Sequence, residues 1–187
     1  MNFCNLKPLK ATVVTLVVLL ALSCNSPAGR NASAATDAPG DTVPRPESAM
    51  VLVVPEAPAT MTDPQEMAGY VAIHFWDNMD FSDTIRVNDD RFMEHHFANY
   101  FSVFPYVSAD DAVKAAGRLV KLSEVTPASL GRVLRVTRRF LTSPNSSMRD
   151  EELYYIFLEA ASKSDSLDDA SLVKVEDGIK EVLKNRQ

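Results

Sequence analysis

The chain has 187 residues, of which 46% are hydrophobic and 24% are charged. This composition is typical of a globular domain and excludes a chain that is disordered throughout. The 25 acidic and 19 basic side chains give a net charge of -6, so we predict no nucleic-acid partner. Two cysteines can form neither a disulfide framework nor a four-cysteine zinc site.

Residues 1–23 have the pattern of a secretory signal peptide. Lys7 and Lys10 form a short basic region, and the apolar run ATVVTLVVLLAL follows it. As a helix this run spans about 18 Å, which is too short for a membrane core of about 30 Å. The segment is therefore predicted to target the chain for export rather than to span a membrane.

The end of this apolar run, ALSC, places a small residue directly before Cys24. This arrangement resembles the lipobox of bacterial lipoproteins, and the resemblance implies cleavage before Cys24 and acylation of that residue. Two or more acyl chains hold a protein stably on a membrane. Asn25 is not the aspartate associated with inner-membrane retention, so we expect an outer-membrane lipoprotein that faces the periplasm. The alternative is an ordinary secretory signal with an incidental cysteine.

Residues 24–61 are predicted to form a tether that carries the acylated cysteine. They are rich in proline and alanine, and such a segment cannot bury enough apolar area to offset its ordering entropy. The apolar run MVLVV at 50–54, between Pro46 and Pro55, is the exception. Docking of this run on the domain and disorder both remain open.

Residues 62–187 have helical periodicity almost throughout, and no segment alternates as a strand does. We therefore predict an all-α fold, a single bundle of about six helices after a disordered N-terminal tether. Each predicted helix begins at a residue whose side chain can accept a hydrogen bond from the first turn. These starts lie near Asp63, Asp89, Ser108, Thr126, Ser147 and Asp168.

Three stretches of this domain resemble a helical domain of unknown function that precedes thioredoxin-like domains in Bacteroidota lipoproteins. They are HFWDNMDFSD at 74–83, FLTSPNSSMRDEELY at 140–154 with FLE at 157–159, and KNR at 184–186. The resemblance covers residues 65–187. The chain ends where the thioredoxin-like half of the family would begin, and it has no Cys-x-x-Cys. The resemblance implies an accessory domain and supplies no catalytic residues.

The three histidines do not have the spacing of a metal site. His95 and His96 are neighbours, which point about 100° apart on a helix, whereas metal-binding pairs on a helix lie three or four residues apart. The third, His74, lies well before them in the sequence. We predict no metal ion and no cofactor.

Aspartates recur every third residue in the first family motif, which could suggest calcium. The segment lacks the glycine and the distal glutamate of an EF-hand loop. We interpret Asp77, Asp80 and Asp83 as capping and turn residues. Trp76 and Phe81 are expected to fix this turn in the core, so the motif is interpreted as structural.

Basic residues line one face of two predicted helices. They are Lys114, Arg118 and Lys121 on the first helix, and Arg132, Arg135 and Arg139 on the second, with Arg138 beside them. Such stripes are usually solvated faces. The alternative hypothesis is that the two stripes form one patch for an acidic partner or an anionic glycan.

No nucleophile elbow, glycine-rich phosphate loop or other catalytic arrangement is present in the sequence. We therefore expect a lipid-anchored periplasmic helical module that interacts with a partner and is not an enzyme. A thioredoxin-fold protein encoded separately is the partner that the resemblance suggests. The alternative is a small-ligand-binding protein, or an enzyme of unrecognised type, with a pocket between helices.

Overall fold

The computed structural model describes residues 51–186, and the signal peptide, Cys24 and the tether up to residue 50 lie outside this range. The described residues contain no strand, which confirms the all-α prediction. Within residues 51–186, a 3₁₀ turn, Phe104–Tyr106, separates the third and fourth of seven α-helices. The helices are α1 (Pro64–His74), α2 (Thr84–Asn88), α3 (Asp90–Val103), α4 (Ala109–Ser123), α5 (Pro127–Thr142), α6 (Glu151–Ala161) and α7 (Asp169–Asn185).

A side-chain oxygen caps the start of every one of these helices. The capping residues are Asp63, Asp83, Asp89, Ser108, Thr126, Asp150 and Asp168. Each accepts a hydrogen bond from a backbone N–H that has no partner within the helix. Short polar side chains at these positions therefore determine where the chain enters each helix.

Two features of the helix boundaries differ from the sequence prediction. The predicted cap Ser147 is wrong, because α6 begins after Asp150, whose carboxylate accepts the N–H of Leu153 at 2.9 Å. Helix α2 was not predicted, since its five residues are too few to show a period. Asp83 caps this short helix by accepting the N–H groups of Ile85 and Arg86.

The core is unusually aromatic and is formed by residues from most of the bundle. Trp76 after α1, Phe97 and Tyr100 on α3, and Phe157 on α6 are all at most 1% exposed. The ring centroids of Trp76 and Phe97 lie 4.7 Å apart, and Tyr100 contacts Phe157 edge-on at 6.3 Å. Each such ring removes about 150–250 Å² from water, so this cluster dominates the stability of the domain.

Helix α4 packs between α1 and α6, and α6 in turn packs against α5 and α7. The crossing of α1 and α4 is close because Gly69 lies at the contact. A Cβ atom on Gly69 would lie 2.6 Å from Oδ2 of Asp111. A side chain at this position would displace the Asp111 carboxylate, so glycine favours this close approach of the helix pair.

The segment before α1 docks on the bundle, which decides between the two alternatives that the sequence left open for the described residues 51–54. Leu52 is 6% exposed and belongs to the hydrophobic core, whereas Val51 and Val53 are exposed. The side-chain amide of Asn78 donates a hydrogen bond of 2.8 Å to the carbonyl of Val53. The end of the predicted tether is thus fixed beside the first family motif.

Candidate functional site

The first family motif, at 74–83, forms the turn between α1 and α2. Trp76 and Phe81 are 1% and 2% exposed, and their ring centroids lie 5.9 Å apart. The indole Nε1 of Trp76 has no hydrogen-bond partner among the described residues. Its role is therefore to fill the core, and the aromatic part of the motif stabilises the turn by packing.

The carboxylate of Asp77 connects this turn to two helices. Nε of Arg118 on α4 donates to Oδ1 of Asp77 at 2.5 Å, and Nδ1 of His74 at the end of α1 lies 2.7 Å from Oδ2. The hydrogen bond from Arg118, followed by that from His74, lowers the pKa of Asp77 below its usual value of 3.8. Asp77 thus links the turn to α1 and α4 and stabilises the fold.

Asp80 stabilises the turn itself. Its Oδ1 accepts hydrogen bonds from the backbone N–H of Ser82 at 2.8 Å and from the hydroxyl of Ser82 at 2.6 Å. These bonds, that of the hydroxyl first, lower the pKa of Asp80. The arrangement is an Asx turn directly before the capping residue Asp83.

The histidines are placed separately in the described part of the chain. His96 is buried against Phe92, while His95 is exposed and its Nε2 lies 3.3 Å from Nδ2 of Asn99. His74 contacts Asp77, as described above. Within residues 51–186, no three histidine, cysteine or acidic residues are grouped so that they could hold a metal ion.

Five of the six residues of the predicted basic patch form ion pairs within the bundle. Arg118 pairs with Asp77, and four further pairs join Lys114 to Asp111, Lys121 to Glu124, Arg132 to Asp90 and Arg139 to Glu94. Arg132 and Arg139 therefore contact α3. Arg135, which lies between them in the sequence, forms no ion pair with a described residue.

Arg135 lines a groove between α5, α6 and α7, which we call the α5–α7 groove. Two further cations line it, Arg138 on α5 and Lys174 on α7, and neither forms an ion pair with a described residue. Its volume is about 260 Å³. The remaining lining residues are Gly131, Leu134, Tyr154, Leu158, Ser171 and Val175, so the groove has an apolar floor and no carboxylate among the described residues.

Tyr154 on α6 lies in the floor of this groove and is 8% exposed. Its hydroxyl forms no hydrogen bond with a described residue, and the hydroxyl oxygen is open to solvent rather than fully buried. Burial raises the pKa of this hydroxyl, so the group is protonated at neutral pH and is available as a donor. The groove therefore combines a neutral donor with three cations.

Only some of the residues of the α5–α7 groove could be predicted from the sequence. Arg135 was part of the predicted patch and Arg138 was noted beside it, whereas Lys174 was missed. Helix periodicity shows which residues share a face of one helix, but it carries no information on which helices become neighbours. No sequence signal linked Lys174 on α7 to the arginines on α5.

A crystal structure of a thioredoxin-like protein from Bacteroides caccae is similar to this chain. The TM-score is 0.65 and the sequence identity is 27%, over 72% of this chain and 48% of that protein. The chain is therefore an all-helical relative of a thioredoxin-like protein, and it spans about half of that protein's length.

The sequence matches the family described as a domain of unknown function, DUF5106, over residues 24–185. This match covers most of the chain, and the chain belongs to that family. The resemblance inferred from the three motifs is thereby confirmed. A comparison with curated proteins gives no match.

In the described range, no helix is both long enough and apolar enough to cross a membrane. Cys24, the predicted lipidation site, lies outside this range.

Proposed function

We propose that this chain is a lipid-anchored helical accessory module of the bacterial cell envelope, which acts together with a thioredoxin-fold partner and is not itself an enzyme. The observation that carries the proposal is the likeness to about half of a thioredoxin-like protein. A thioredoxin fold is built on a β-sheet, whereas residues 51–186 contain no strand. The half to which this chain is similar is thus helical, and we infer that the thioredoxin-like region of that protein lies in its other half.

The role of the first family motif supports a module without catalytic residues there. Trp76 and Phe81 are in the core, and Asp77 and Asp80 hold the turn through hydrogen bonds. The lowered pKa of Asp77 makes its carboxylate a weak base, and its bonds to Arg118 and His74 hold it in place, so it is poorly suited to general base work. Packing and turn formation account for this motif.

The proposed anchor rests on the sequence around Cys24 and on the position of Leu52. A signal-like apolar run ends at Cys24, and the chain docks on the bundle at Leu52. The intervening residues are rich in proline and alanine, as expected for a tether. Fractionation tests the anchor: the wild type should be in the membrane fraction, and Cys24→Ser should be released from it.

Capture in the native envelope tests the partnership. The tagged chain would be crosslinked in intact cells, purified and examined by mass spectrometry, with an untagged strain as the control. Enrichment of a protein with a thioredoxin fold is the expected result. Enrichment of no such protein over the untagged control, in repeated experiments at native expression, would contradict the proposed partnership.

A second candidate function is the binding of a small ligand between helices. The α5–α7 groove is the specific observation that favours it, because three cations from α5 and α7 line it together with the hydroxyl-bearing residue Tyr154 of α6. This function does not require a partner protein.

A further inference from the structure

We propose that the α5–α7 groove binds a small carboxylate that carries a short apolar or aromatic group. The cations Arg135, Arg138 and Lys174 and the hydroxyl of Tyr154 would hold the carboxylate, and the apolar floor would hold the rest of the ligand. This proposal is independent of the thioredoxin-fold partner, because all of its residues belong to this chain.

The charge of the groove contrasts with that of the whole chain. The net charge is -6, and most other basic residues on α4 and α5 are neutralised by a neighbouring carboxylate. Arg135 and Arg138 are exposed at the groove, and Lys174 faces them from α7. Three cations of like charge repel one another, and an anion bound among them removes this repulsion.

Tyr154 provides a second observation that does not depend on charge. Its ring is buried, and its hydroxyl lies near α7: a Cβ atom at Gly178 would lie 3.6 Å from the hydroxyl oxygen, an ordinary contact distance. Tyr154 lines the groove, and its hydroxyl has no partner among the described residues and is open to solvent. A ligand oxygen beside it would replace water as the acceptor of this hydroxyl and add a hydrogen bond to the attraction of the three cations.

The shape of the groove limits the ligand to a small molecule. Its volume of about 260 Å³ is below the range of about 300–1,000 Å³ for sites that hold drug-sized ligands. Leu134, Leu158 and Val175 form an apolar surface, which a fully hydrated ion such as free phosphate would not use. Gly131 adds open space, because no atom lies within 4 Å of the position of a Cβ there.

Titration calorimetry with a matched pair of probes tests the proposal. The full chain in nanodiscs of zwitterionic lipid would be titrated with phenylpropionate and with phenylpropionamide, which has a similar shape and no charge. Empty nanodiscs correct for partitioning into lipid. We expect saturable binding of the carboxylate at one site, and binding of the amide at least about tenfold weaker because charge-assisted hydrogen bonds are lost.

Three variants connect such binding to the groove. Arg135→Gln and Arg138→Gln should each weaken phenylpropionate binding about tenfold, and Tyr154→Phe should weaken it about threefold or more. Lys184→Gln is the matched control, because Lys184 is an exposed lysine on α7 that does not line the groove. The control should leave the affinity unchanged within about a factor of two.

Tyr154→Phe separates ligand binding from a structural role. It removes only a hydroxyl that has no partner among the described residues, so the melting temperature should not fall. Loss of binding together with unchanged melting supports the proposal. Absence of carboxylate binding, equal affinity for the amide, or binding that is insensitive to Arg138→Gln and Tyr154→Phe would each overturn it.

Discussion

Nε of Arg118 on α4 donates a hydrogen bond of 2.5 Å to Oδ1 of Asp77, in the turn that follows α1. The bond joins α4 to the turn after α1, and α1 and α4 also meet closely at Gly69 and Asp111. The conspicuous acidic motif of the sequence and one residue of the predicted basic patch are thus partners of each other. Because they bind each other, Asp77 and Arg118 both have a structural role in the bundle.

The Asp77–Arg118 contact should make stability depend on pH in the acid range. The pKa of Asp77 is lowered in the folded chain, so its contribution is present above the ordinary value of 3.8 and is lost as the pH falls through the folded-state pKa. We expect Asp77→Asn to reduce the free energy of unfolding by about 1 kcal/mol at pH 7. The difference from the wild type should shrink below pH 3.8.

Urea denaturation at several pH values measures this difference. Asp177→Asn is the control, because Asp177 pairs with Lys180 on an exposed face of α7. The control should change the free energy of unfolding by less than about 0.5 kcal/mol at each of these pH values. A penalty for Asp77→Asn that grows on acidification would contradict the assignment.

Docking of the segment before α1 predicts a contrast between neighbouring residues. Leu52 is 6% exposed and Val53 is 68% exposed. Leu52→Ala should destabilise the chain by about 2 kcal/mol, because it removes buried methyl groups. Val53→Ala should change stability by less than about 0.5 kcal/mol. Equal and small effects in urea denaturation would show that the segment is not docked in solution.

Two glycine substitutions should have opposite effects on stability. Gly69→Ala would force Asp111 away from α1 and break the hydrogen bond that it accepts from the hydroxyl of Ser108. Gly131→Ala meets no atom within 4 Å and should stabilise α5 by up to about 1 kcal/mol. Thermal melting of the two variants measures both changes. A higher melting temperature for Gly69→Ala would contradict the close crossing of α1 and α4.

Arg132 and Arg135 should respond differently to the same substitution. The side chain of Arg132 is 13% exposed and pairs with Asp90, whereas Arg135 is exposed and has no ion pair with a described residue. Arg132→Gln should cost about 1 kcal/mol through lost packing and pairing. Arg135→Gln should be neutral within about 0.5 kcal/mol, as measured by urea denaturation. A larger loss of stability for Arg135→Gln than for Arg132→Gln would contradict this assignment.

The sequence predicted those parts of the fold that depend on local interactions. Capping residues such as Asp63 and Thr126 bind the helical turn that follows them, so their residue type is sufficient to predict the start of a helix. The helical periodicity of residues 62–187 likewise predicted the all-α fold. Helix α2 was missed because its five residues have no period, and Ser147 was mistaken for the cap because Asp150 serves that role instead.

Contacts between distant parts of the chain were not predictable in the same way. Lys174 meets Arg135 and Arg138 only because α7 packs beside α5 on α6. The pairing of Arg118 with Asp77 likewise depends on how α1 crosses α4. These helix crossings depend on the shapes of many packed side chains, so the periodicity within one helix does not predict them.

Site-specific photo-crosslinking in intact cells tests most directly whether this chain acts with a thioredoxin-fold partner. Photoreactive residues would replace Ile85, Tyr106 and Val173 one at a time, since these exposed apolar side chains lie on different elements of the bundle. The account predicts that at least one position crosslinks to a protein with a thioredoxin fold, and that the positions differ in yield. Crosslinks to no such protein from any position would contradict it.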